Sequence, residues 1–258
     1  MFFFDKFDKE EMKTYIVNLK KDIERREYIS KLLNDADFLD KEFLEAVYGK
    51  ELSVEQLNSE FDSDLAYKRY GRQLNLGEIG CTLSHFKAYK KLLASEDSRV
   101  LLLEDDITIM RDFSRIDGIA DRLPEDEPYV LFLSGDYWYK RMRPLEDGLS
   151  IADVYDAVGT YAYVINRKGA ELIIKKNPKA SAVADNWSLY RRQGLKLYAV
   201  KPYLIDANID CFASSIEQSC FGEVRKNMPL SFRLKSYTLS LKKKWLLRRG
   251  KFVSKIRK

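Results

Sequence analysis

Short apolar runs alternate along the chain with segments of helical spacing. Thr14–Leu19 (Thr-Tyr-Ile-Val-Asn-Leu) is rich in strand formers, and Asp22 is placed to cap a helix carrying Ile23, Tyr28, Ile29, Leu32 and Leu33. Lys41–Tyr48 predicts a second strand closed by Gly49, followed by a polar stretch over 51–76 of short helices and loop. Gly77-Glu78-Ile79-Gly80 punctuates the chain before a helix over Cys81–Leu93, where Leu83, Phe86, Tyr89, Leu92 and Leu93 fall on helical spacing. Val100-Leu-Leu-Leu103 is too short for an amphipathic helix and suits a strand buried on both faces. Tyr129–Leu133, Gly159–Ile165 and Leu197–Ile205 predict further strands, while Tyr137–Leu149 reads as a loop. A helix opened by Asn166 or Arg167 stops at Asn177-Pro178, and a polar break follows. Recurrence of strand, helix and strand predicts an α/β fold with a mostly parallel central sheet covered by helices.

The Val100 strand runs directly into Glu104, Asp105 and Asp106, and Ile107 and Ile109 then resume the apolar pattern. Three adjacent acids at the exit of a core strand repel one another, and a divalent cation held by oxygen ligands is the usual compensation; a solvated turn would carry the same residues. Alternation along a strand puts Glu104 and Asp106 on one face and Asp105 on the other. Arg25 and Arg26 fall in the first turn of the first helix, where basic residues are misplaced for the helix dipole unless an anion docks there or they pair with Glu24 and Glu27. His85, the one histidine, follows Cys81 by a single helical turn.

Composition narrows the classes. The 258 residues are 45% hydrophobic and 33% charged, enough for one large α/β domain. Cys81, Cys211 and Cys220 form neither a paired framework nor a CxxC site, which suits a reducing cytoplasm. Phe2-Phe3-Phe4 is followed at once by charged residues, so no signal-peptide apolar region or membrane span is expected. The net charge of +5 is uneven: residues 224–258 hold 13 Lys/Arg and no Asp/Glu, leaving 32 basic and 40 acidic residues in 1–223. This predicts an acidic domain over 1–223 and a basic amphipathic tail over 224–258.

Taken in order, Tyr15-Ile-Val-Asn18-Leu with Arg25-Arg26, Gly77-Glu-Ile-Gly-Cys-Thr-Leu-Ser84-His85, Leu101-Leu-Leu-Glu104-Asp105-Asp106, and Ala162-Tyr-Val-Ile followed by Gly169-Ala170 resemble glycosyltransferase family 25. That family comprises the bacterial lipooligosaccharide galactosyltransferases and the related collagen galactosyltransferases. The resemblance spans about residues 14–216 and implies a GT-A-like nucleotide-sugar-binding fold, with Glu104-Asp105-Asp106 as its Asp-x-Asp-like motif. It further implies inverting transfer of a hexose, most commonly galactose from UDP-galactose, to a lipooligosaccharide outer-core acceptor with a β linkage. UDP-glucose or a UDP-N-acetylhexosamine is the alternative donor, and a non-catalytic binding protein the alternative function.

On the same resemblance, Asp106 is the main ligand of Mn²⁺ or Mg²⁺, with Glu104 as a second ligand; Glu104 or Asp105 reaches the ribose or a metal-bound water. Asn18, Arg25 and Arg26 hold uridine and phosphate, and Ser84 and His85 lie near the donor. Asp185 is the leading candidate for the general base an inverting transferase needs, with Asp153 and Asp136 as rivals. Lys20-Lys21 and Tyr48 depart from the family pattern and bear on donor-sugar identity.

The tail interleaves basic residues with Phe232, Leu234, Tyr237, Trp245, Leu246 and Ile256, among others. As a cationic amphipathic helix it would lie on an anionic inner-membrane surface, making the protein cytoplasmic and peripheral. Its aromatics have no nucleic-acid-recognition arrangement, and the acidic body argues against such a partner.

Overall fold

In the computed structural model, residues 11–146, 148–208, 241, 245 and 254–256 are described. The sheet is built outward from β1 (Met12–Asn18), which pairs in parallel with β2 (Leu39–Glu45) on one side and β3 (Arg99–Glu104) on the other. Val100, Leu101, Leu102 and Leu103 are all fully buried, as their unbroken apolar run requires. Their side chains alternate between two cores. Val100 and Leu102 join Tyr15, Val17 and Val130 on one face, while Leu101 and Leu103 join Ile16, Ile29 and Leu131 on the other. Burying each such side chain contributes about 1.5–3 kcal/mol.

Helix α1 (Ile23–Leu32) links β1 to β2 and buries Ile29 in the second core. Asp22 takes the capping position but makes no side-chain capping bond. The segment after β2 holds α2 (Val54–Glu60) and α3 (Ser63–Tyr70), then α4 (Leu76–Ala94) covers the opposite face. Helix α4 starts five residues ahead of the expected boundary. Asn75 accepts from the Glu78 N–H and Glu78 reaches back to the Asn75 N–H, a capping box that places Gly77 and Gly80 inside the helix.

After β3 come β4 (Ile107–Ile109), α5 (Ile116–Ala120) and β5 (Tyr129–Phe132). The region expected as a loop over Tyr137–Leu149 is instead mostly β6 (Asp136–Pro144), paired antiparallel with β7 (Ser150–Val158). Tyr137 and Tyr139 point inward and are buried there. Next come β8 (Ala162–Asn166), α6 (Arg167–Lys176), α7 (Trp187–Gln193) and β9 (Lys196–Lys201). The strand expected over Leu197–Ile205 ends at Lys201, and β10 (Ile205–Ala207) pairs with β4 in a separate two-stranded ribbon.

With β11 (Ser254–Ile256) at one edge, the main sheet has the order β11-β6-β7-β9-β5-β8-β3-β1-β2. Strands β2, β1, β3, β5, β9 and β6 run one way, and β8, β7 and β11 the other, so the mixed sheet is mostly parallel, as expected. Strand β11 (Ser254–Ile256) adds to the β6 edge, so this part of the expected helical tail is a strand. Leu241 and Trp245 are exposed and helical; the rest of the basic tail lies outside the described residues. Among the described residues no helix is long and apolar enough to cross a membrane.

Candidate functional site

Because α1 leaves β1 over one face of the sheet and α4 reaches β3 over the other, a crevice opens beyond the carboxyl end of β1. Open α/β sheets bind ligands at such a reversal of strand order. The cleft found there is lined by the loop after β1, by Ala46 to Lys50 beyond β2, by one face of α4 and by Glu104, Asp105 and Asp106.

Two close approaches shape it. A Cβ on Gly80 would lie 2.6 Å from the Val47 carbonyl oxygen, and one on Gly49 would lie 1.8 Å from the Leu76 carbonyl oxygen. Only glycine lets the 46–50 loop sit this tightly on α4. Ser84 locks the contact: its Oγ accepts from the Val47 N–H at 2.8 Å and donates to the Gly80 carbonyl at 2.7 Å. Ser84 therefore lines the cleft with its hydroxyl already committed to the wall.

Strand β3 ends at Glu104, and the turn that follows breaks the alternation expected for the three acids. Asp105 and Asp106 share one partner, Arg25, whose guanidinium donates to Asp105 Oδ1 at 2.9 Å and to Asp106 Oδ2 at 3.0 Å. The second Asp105 oxygen accepts from Asn18 Nδ2 at 2.7 Å, and Asn18 also donates to the Asp22 carbonyl. Asp105 is thus tied on both oxygens and ties α1 to β1 and β3. Glu104 turns the other way: it accepts from the Thr160 hydroxyl, and its Oε1 lies 3.6 Å from His85 Nε2.

Asp106 Oδ1 is buried and, among the described residues, has no hydrogen-bond partner. Burial beside Glu104 pushes the Asp106 carboxyl up to about 6, and burial pushes Asp105 up as well. An orphaned carboxylate oxygen among three acids and a single arginine is a donor set that fits a hard divalent cation.

Arg26, grouped with Arg25 at the sequence level, does not line the cleft. Consecutive helical residues point about 100° apart, and Arg26 stacks on Phe43 at 3.8 Å. Asp185 is not among the residues lining the cleft; its Oδ2 accepts from the Gly159 N–H at 3.1 Å. Burial holds its carboxyl above the usual range, and the nearby Glu104 carboxylate adds to the rise. Asp153 lies elsewhere: it is inside β7, opposite Tyr198, and pairs with the exposed Arg141. Asp136 opens β6 opposite Val158.

Several contributors have no signal in the residue pattern. Thr160 bridges toward Glu104, and Asn208 donates its backbone N–H to the Asp106 carbonyl; Lys21 and Tyr48, singled out in the sequence, meet beside the cleft, with Lys21 over the Tyr48 ring at 3.6 Å. Tyr163, within a strand read only as core, accepts or donates at His85 Nδ1 (2.6 Å).

The profile of "Glycosyltransferase family 25 (LPS biosynthesis protein)" matches residues 11–142, just over half of the chain, from β1 into β6. Human procollagen galactosyltransferase 2 is 27% identical over 217 residues, which cover 74% of this chain and 34% of that protein. A glycosyltransferase 25 family member of Drosophila melanogaster is 36% identical over 64% of this chain and 28% of its own length. The chain thus spans about a third of the length of these relatives. Among solved structures, the galactosyltransferase LgtC in complex with donor and acceptor sugar analogs aligns over 87% of this chain at 11% identity with a TM-score of 0.37, too low to match site residues. With the profile running through β1, the cleft-forming glycines and all three acids of the β3 turn, the chain belongs to glycosyltransferase family 25.

Proposed function

We propose that the chain transfers a hexose from a UDP-sugar to a glycan acceptor, with inversion at the anomeric carbon. The observation that carries this reading is the clasp at the switch-point cleft, where Arg25 holds Asp105 and Asp106 while one Asp106 oxygen stays unpartnered. Galactose is the favoured sugar because the relatives include procollagen galactosyltransferases. The family's description as an LPS biosynthesis protein supports a lipooligosaccharide outer-core acceptor.

The chemistry required of the chain is modest. Asn18 and Asp105 form a rigid floor at the end of β1, and Arg25 offers a cation beside the position of the donor diphosphate. Asp106, with its unpartnered oxygen, would hold a Mn²⁺ or Mg²⁺ ion, which would supply Lewis-acid neutralisation of the departing UDP. Asp185 takes the proton of the acceptor hydroxyl, and the burial that raises its pKa makes it a stronger base than an exposed carboxylate. The Ser84-braced 46–50 loop, held tight against Gly80, keeps one wall of the cleft fixed in position. The basic residues of 224–258 support reversible attachment to an anionic membrane surface near a lipid-linked acceptor.

The test is UDP release from a panel of UDP-sugars, with Mn²⁺ and with EDTA, for wild type and Asp106→Ala. Slow hydrolysis of one donor, lost on chelation and in the variant, is expected. Absence of both release and UDP binding would remove the transferase reading.

A further inference from the structure

Cys81 and His85 are four residues apart on the cleft-facing side of α4, and Glu104 ends the strand opposite them. One ligand atom from each, the Cys81 thiol sulfur, a His85 ring nitrogen and a Glu104 carboxylate oxygen, all lie within 4.8 Å of one another. Two ligands bound at about 2.0–2.1 Å in a tetrahedral shell are separated by roughly 3.3 Å, so the 3.6 Å between His85 Nε2 and Glu104 Oε1 needs only a small closure.

The surroundings also present the histidine correctly. His85 Nδ1 meets the Tyr163 hydroxyl at 2.6 Å, and that hydroxyl meets Tyr89 at 2.7 Å. With the Tyr163 oxygen accepting the Nδ1 proton and passing its own to Tyr89, the Nε2 lone pair faces Glu104. Metal-bound histidines are oriented by such a bond on their other nitrogen. The His85 and Tyr163 rings also stack at 5.7 Å, which fixes the plane of the imidazole.

We propose that Cys81, His85 and Glu104 form a second cation site, selective for Zn²⁺ or a similar borderline transition metal and separate from the oxygen-donor position at Asp106. A thiolate and an imidazole favour such ions over Mn²⁺ or Mg²⁺, which prefer all-oxygen shells. Binding removes the Cys81 proton to solvent and forms the sulfur–metal bond in its place. Three protein ligands leave the fourth position directed into the cleft, the pattern of an open rather than a purely structural zinc site. The site does not depend on the transferase reading, because it can be filled with no donor present.

The chain's single histidine makes the test direct. In untagged full-length protein with a ¹⁵N-labelled imidazole, stoichiometric Zn²⁺ should shift the Nε2 resonance of His85 while Nδ1 stays protonated. Co²⁺ should give a thiolate-to-metal charge-transfer band that disappears in Cys81→Ser and persists in the Cys211→Ser/Cys220→Ser double variant and in Asp106→Asn. A Nε2 resonance that ignores Zn²⁺ overturns the proposal without recourse to any variant. So does a Co²⁺ band that survives Cys81→Ser or vanishes with Cys211 and Cys220.

Discussion

Asn18 and Asp105 are 87 residues apart in the chain and joined by a 2.7 Å hydrogen bond at the bottom of the cleft. The bond fixes the turn after β3 against the end of β1 and holds Asp105 in place. Asn18→Ala leaves one oxygen of a buried carboxylate unsatisfied. A loss of about 1–3 kcal/mol in urea unfolding is expected, with weaker UDP binding in the same variant.

The raised pKa of Asp106 has a definite sign. Its folded value, about 6, lies above the ordinary carboxylate range because burial and Glu104 disfavour the charge. Between the unfolded and folded values the unfolded chain releases the proton while the native state keeps it, so stability falls as pH rises and the penalty is complete above about 6. Asp106→Asn should therefore unfold later than wild type at pH 8 in metal-free buffer, by up to about 3 kcal/mol. The gap should close as pH falls through 6 toward 4, and thermal melts across that range would show it.

Gly80→Ala places a methyl 2.6 Å from the Val47 carbonyl and 2.8 Å from the Gly49 nitrogen, both backbone atoms that cannot step aside. The 46–50 loop must move off α4. A destabilisation of about 1–3 kcal/mol and loss of saturable UDP binding are expected by calorimetry.

Asp185→Asn should lower kcat for transfer by about 10²–10⁴ with little change in donor KM, the signature of a lost general base. Asp153→Asn, which disturbs only an exposed pair with Arg141, should leave both parameters unchanged. Steady-state kinetics with a saturating acceptor separates the two carboxylates. A reversed ranking would move the base to β7.

The parts of this fold legible in the residues are those with one dominant cause. Val100 to Leu103 could only be a buried strand, and the apolar spacing from Leu83 to Leu92 only a packed helix. Where two signals compete, local reading goes astray. Gly77 and Gly80 look like breaks, yet the Asn75–Glu78 box starts the helix before them, and their role is set by a loop arriving from β2. Tyr137-Trp138-Tyr139 has the two-residue alternation of a strand, with the tyrosines buried and Trp138 only partly so, but the flanking arginines suggest a loop. The site was visible as a set of residue types, because acids after a core strand need a counter-charge. Its partition was not: that Arg25 serves two acids, Arg26 none, and Glu104 faces the α4 side follows from the turn at Asp105 and from Thr160, more than fifty positions away.

Strand β1 holds β2 by a local crossover but holds β3 across a much longer stretch of chain. Closing the 87-residue span between Asn18 and Asp105 costs about 4 kcal/mol of chain entropy before any contact at the cleft repays it. Chains rich in contacts of that range fold slowly, because the loop entropy is lost before the contact offsets it. The crevice thus comes into being only when the amino-terminal half of the sheet is complete, and a ligand that fits it would act as a reporter of finished folding: any fragment lacking β3, or any variant stalled before β1 and β3 zip together, would show helices and compactness without recognition.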